Sequence, residues 1–158
     1  MKSKPISTIV IITMLAMLVS CSAGRGDTTF APPPSISKEQ VWQLTEVMGK
    51  AVGRTSEAVT LTFNPQTVTL KGKAYCNTYS ADYRMGVEDG RLSDGQSLYT
   101  FSVSSVGSTS VQCPDVEMNA LSRYLSLLAK ATHIGINATS TAMVIYQKGK
   151  PLLNFELL

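Results

Sequence analysis

Histidine, charge and long apolar runs are all scarce in this chain. A single His among 158 residues leaves no His-rich metal site and deprives a catalytic nucleophile of its usual base. The three cysteines contain no Cys-x-x-Cys pair, so a thioredoxin-type redox motif is absent. No apolar stretch reaches the roughly 20 residues that a helix needs to cross a bilayer. Charged residues amount to 16% and hydrophobic ones to 44%, a balance that fits neither a disordered nor a low-complexity chain. No repeat of solenoid period is present. What is there suffices for one domain and is too little for two. The formal charge of +3 points to an anionic partner only until the N-terminus is read.

Lys2 and Lys4 precede an apolar run of 14 residues, Ile6 to Val19, interrupted by Ser7, Thr8 and Thr13. A short positive segment followed by a short apolar one reads as a secretory signal. Leu18-Val19-Ser20-Cys21 then resembles the bacterial lipobox, in which the signal is cut before the Cys and that Cys receives lipid. Residues 1–20 are therefore expected to be a lipoprotein signal peptide and Cys21 the lipidation site. Each buried CH₂ contributes about 0.8 kcal/mol, so two or three acyl chains would hold the mature N-terminus at a membrane. Ser22, where an Asp would signal retention, resembles outer-membrane sorting. Residues 21–37, with Pro32-Pro33-Pro34, read as a stiffened tether, and residues 38–158 as the folded domain. Loss of Lys2 and Lys4 takes the formal charge from +3 to +1. The apparent basicity belongs to the export signal, and no nucleic acid partner is expected.

Within the domain the pattern is short and period-2. Val59, Leu61 and Phe63 alternate with Thr60 and Thr62, which predicts a half-buried strand. After Asn64-Pro65, the stretch Thr67 to Leu70 repeats the alternation through Val68 and Leu70. Val41 to Val47 reads as the first strand. Asn77 to Met85 and Leu98 to Val106 read as two more, separated by a turn-rich Gly86 to Gly90. Met143 and Ile145, then Leu153, Phe155 and Leu157, flank a turn at Lys148-Gly149-Lys150. One segment has helical period: Val116, Ala120, Tyr124 and Leu127, with Asp115 as expected cap, Glu117 in the first turn and Lys130 in the last. The fold expected is α+β, a mostly antiparallel sheet curled into an open or cracked barrel and packed against one α-helix.

With Cys21 assigned to lipid, Cys76 and Cys113 remain, an even number in a compartment where disulfides persist. A structural disulfide between them is the expected pairing. A metal site would need more ligands than two thiols and the distant His133, so no metal and no other cofactor is expected.

Several features together resemble the META domain, also called the HslJ-like lipoprotein family. They are Trp42-x-Leu44, Gly49-Lys50-Ala51-Val52, Leu61-Thr62-Phe63, Cys76-Asn77 and Thr109-Ser-Val-Gln-Cys113. Trp42, Asn77 and Thr109 are the family-motif positions. The family commonly has Gly before the first of these cysteines, and here it is Tyr75. The resemblance implies a small envelope-associated α+β domain with no general enzymatic activity. Asn77 is expected to bond neighbouring backbone at a strand start.

The function expected is that of a membrane-anchored, non-catalytic envelope lipoprotein. Its domain would bind a protein partner or serve as an envelope-stress or stabilising module. The alternative is a pilotin-like module that holds a lipid or acyl chain in the barrel and assists a secretion or surface-assembly system. An enzyme would have to use Asp82, Glu88, Asp89 and Asp94, which read as a solvated cluster rather than a carboxylate pair. Tyr75, Tyr79 and Tyr83 share one face of an extended chain, either as an exposed binding row or as rings packed under the helix.

Overall fold

The computed structural model describes residue 36 and residues 39–52 and 58–158. The signal peptide, Cys21 and most of the tether lie outside the described residues. Ile36, assigned above to the end of the tether, is fully buried in the core, so packing begins at least that early.

Among the described residues, nine strands and one helix follow one another. They are β1 (Val41–Val47), β2 (Lys50–Ala51), β3 (Thr60–Asn64), β4 (Thr69–Ala74), β5 (Asn77–Arg91), β6 (Ser97–Ser108), α1 (Asp115–Leu128), β7 (His133–Ile136), β8 (Ala142–Gln147) and β9 (Lys150–Leu157). Every pairing is antiparallel, in the order β1-β3-β4-β5-β6-β7-β8-β9. β9 returns to β1, Trp42 opposite Leu157 and Leu44 opposite Phe155. That last pairing closes an eight-stranded barrel. Two-residue β2 extends the end of β1, Val47 opposite Lys50.

Period-2 alternation fills the barrel. Trp42, Leu61, Phe63, Leu70, Ile134, Met143, Ile145, Leu153 and Phe155 point inward and are essentially inaccessible. An eight-stranded barrel has an interior about wide enough for side chains alone. Phe63 meets Tyr83 edge-on at 5.2 Å and Phe101 at 6.1 Å. Leu121, Tyr124, Leu127 and Leu128 of α1 join the same core.

Several sequence expectations shift. Gly86 to Gly90 is not a turn: β5 continues through it, carried by register shifts between Met85 and Glu88 and between Glu88 and Gly90. Each such bulge absorbs an extra residue and bends the strand. The real turn spans residues 92–96, closed by Leu92 N–H to the Gln96 carbonyl at 2.9 Å. Val68 is no strand residue facing inward, since it lies before β4, half exposed, with φ 53°. On α1, Val116 is 80% exposed, and Pro114 takes the N-cap position without a side-chain bond, Asp115 being the first helical residue. Lys130 lies past the last turn, where its N–H reaches the Leu127 carbonyl at 3.1 Å. No helix among the described residues is long and apolar enough to cross a membrane.

Candidate functional site

Two features converge where β5 begins: a tightly bonded corner, and a groove on the barrel's outer wall beside it.

The corner starts at the β4–β5 turn, where Ala74 pairs with Asn77 and leaves Tyr75 and Cys76 at the tip. Tyr75 has φ 57°, a left-handed conformation that costs a non-glycine residue about 1–2 kcal/mol. That explains the Gly common in the family at this position. Its ring is half-buried and packs against the core. Asn77 follows, the single buried polar residue among those described, at 0% exposure. Its Oδ1 accepts from Thr109 Oγ1 and from the Val111 N–H, both at 2.8 Å. Its Nδ2 donates to the Val111 carbonyl at 3.1 Å and faces Cys113 Sγ at 3.2 Å and Cys76 Sγ at 3.3 Å. Thr109 adds a second clasp, its N–H bonding the Thr78 carbonyl at 2.9 Å and its Oγ1 accepting from the Thr78 N–H at 3.1 Å. Residues 109–113 are thereby strapped to the start of β5. Cys76 and Cys113 are joined with a Cα–Cα separation of 6.1 Å, within the usual disulfide range.

Tyr79, two residues on, points inward at 3% exposure. Its hydroxyl donates to the Thr60 carbonyl at 2.8 Å, so the Tyr124 hydroxyl, 2.6 Å away, is the donor to it. Burial is the main reason both phenols titrate far above their ordinary value. A phenol whose pKa is raised on folding favours the native state below its unfolded value near 10. The denaturation midpoint should therefore fall as pH rises above about 10. Tyr79→Phe leaves the Tyr124 hydroxyl without its acceptor and should cost about 1–3 kcal/mol, more than Tyr124→Phe, as chemical denaturation would show. Tyr83 is also buried, so the tyrosines form no exposed row.

The groove, of about 710 Å³, is lined by Thr62, Lys71, Gly72, Thr78, Tyr79, Ser80, Gly107, Ser108 and Thr109. Gly72 lets β3 and β4 approach closely beneath it, because a Cβ there would run into the Thr60 carbonyl oxygen and the Tyr79 ring. None of the lining residues carries a carboxylate, imidazole or thiol.

The four acids do not converge. Glu88 meets Arg91 at 3.4 Å and Asp89 meets His133 at 3.3 Å. Asp94 accepts from Gln96 at 2.9 Å within its own turn. Asp82 is exposed on β5 opposite Ser104. Trp42 sits in the core and is not among the residues that line the groove. Sequence reasoning overlooked Glu117 in this setting, having given it only a place in the first helical turn. Its carboxylate lies beside the two sulfurs, all three ligand atoms within 4.8 Å of one another. No sequence signal marks it, because Cys113 lies ahead of the helix that carries Glu117 and Cys76 arrives from a distant turn.

No curated protein matches the chain. An NMR structure of a protein from Burkholderia xenovorans is similar at a TM-score of 0.55 and 19% identity, over 82% of this chain and 92% of that one. That likeness concerns the fold. Residues 35–157 match the META domain, nearly everything that the structure describes, and the chain belongs to the META domain family.

Proposed function

We propose that this protein is a lipid-anchored, non-catalytic module of the bacterial cell envelope, attached through Cys21 to the outer membrane. It engages a partner protein through the groove beside Asn77. The observation that carries the reading is where the space lies. The barrel interior is occupied by inaccessible side chains, whereas the 710 Å³ recess is on the outer wall. Its hydroxyls and Lys71 suit hydrogen bonding to an extended polar segment. The lining chemistry supports recognition rather than catalysis, since it offers no acid–base pair. Anchoring rests on the order of Lys2, Lys4, the apolar run and Cys21.

A filled core also counts against the pilotin-like alternative, in which an acyl chain occupies the barrel. Native mass spectrometry of the detergent-free mature protein separates the two. The expected result is a polypeptide carrying only its covalent N-terminal lipid. A second, non-covalent lipid retained at one per chain would favour the alternative.

A further inference from the structure

Cys76, Cys113 and Glu117 bring two sulfurs and a carboxylate within 4.8 Å of one another, from a β-turn, the segment just ahead of α1 and the first turn of α1. Joined to each other, the sulfurs are poor metal ligands. Opened by a dithiol reductant they become good ones. In that exchange the reductant's two thiols give up two electrons and become a disulfide, while the protein's S–S bond breaks and each sulfur takes a proton. Two cysteine sulfurs and one carboxylate are a donor set suited to a tetrahedral zinc-type cation, with water in the fourth position.

We propose that the reduced protein binds a zinc-class divalent cation at this corner, through Cys76 Sγ, Cys113 Sγ and the Glu117 carboxylate, each thiol losing its proton to solvent on binding. The two segments of the corner are joined by more than the S–S bond. The Thr109 bonds to Thr78 and the Val111 bonds to Asn77, between 2.8 and 3.1 Å, hold the strap in place. Both sulfurs also face Asn77 Nδ2, at 3.2 and 3.3 Å. An N–H donor to a ligating sulfur is the outer-shell partner that orients metal-bound thiolates. Glu117 and Cys76 are half-buried and Cys113 is 8% exposed, so a cation would be partly shielded yet reachable. The three donors and the amide that would support them are thus already neighbours in the fold.

The test titrates Co²⁺, a zinc surrogate with a thiolate charge-transfer absorption, into the full mature chain under anaerobic conditions. One sample is oxidised, one reduced by a dithiol and passed free of reductant. The expected result is a saturable band at one Co²⁺ per reduced chain, abolished by added Zn²⁺ and absent from the oxidised chain. Glu117→Gln should weaken binding at least about tenfold, the lower end of what losing even an outer-shell partner costs. Cys76→Ser and Cys113→Ser should each remove the band. Circular dichroism of the reduced chain accompanies the titration. Absence of the band, unchanged affinity in Glu117→Gln, an equal band from urea-unfolded chain, or loss of the fold on reduction would each overturn the proposal.

Discussion

Replacing Cys76 and Cys113 together with alanine lowers the stability of the domain by about 4 kcal/mol, through loss of loop-closure constraint in the unfolded chain. The sulfurs are 37 residues apart in sequence, and the enclosed loop contains all of β5 and β6. A typical domain has only about 5–15 kcal/mol in total, so the loss is a large share. Urea denaturation should show a lower midpoint and a steeper slope, because the unlinked unfolded chain exposes more surface. Asn77 couples to this bond. Asn77→Ala removes the acceptor for the Val111 N–H and for Thr109, which should cost about 2–3 kcal/mol with the disulfide intact. In the cysteine-free background the cost should change measurably, since Nδ2 there faces no sulfur. Additive effects would mean that the amide and the disulfide act as separate features.

Trp42→Ala should cost about 3–5 kcal/mol, the range for truncating a large buried aromatic. Trp42 is at 0% exposure and sits where the barrel closes, opposite Leu61 of β3 on one side and Leu157 of β9 on the other. Its indole Nε1 is buried without a hydrogen-bond partner. Phe keeps most of the ring volume and deletes that unsatisfied donor, so Trp42→Phe should cost much less than Trp42→Ala. Calorimetry of the three proteins checks the order. A loss in Trp42→Phe equal to that in Trp42→Ala would show that the nitrogen, not the ring, matters.

The part of the fold written in alternation was legible: Val41–Val47 and the hairpin around Lys148-Gly149-Lys150 read correctly as strands, and the strand expected around Val59, Leu61 and Phe63 is β3, which begins at Thr60. Four features were not, for physical reasons. β7 is four residues long with Gly135 in its middle, too short for a period to register. Gly86 to Gly90 carries turn composition because bulges need it, and composition alone cannot tell a bulged strand from a loop. Val68 alternates correctly with Leu70 yet lies in a left-handed turn, where backbone geometry overrode pattern. Barrel closure pairs β1 with β9 across more than a hundred residues, a contact that no local signal encodes. At the corner, Cys76, Asn77, Thr109 and Cys113 were found by motif. Glu117 was missed because its role appears only when a helix turn and a β-turn meet. The groove was missed because it is a product of glycines and register, not of any residue run.

The central claim is that this barrel acts through its outer wall. Its most direct test places a photoreactive benzophenone amino acid at the positions of Ser80 and Ser108 in the groove, and at exposed Glu156 as control. Glu156 lies on β9, across the strand ring from β5. Irradiation of intact cells producing each protein should give a discrete protein adduct from positions 80 and 108 and none from 156. No adduct from the groove, or the same adduct from position 156, would contradict the claim.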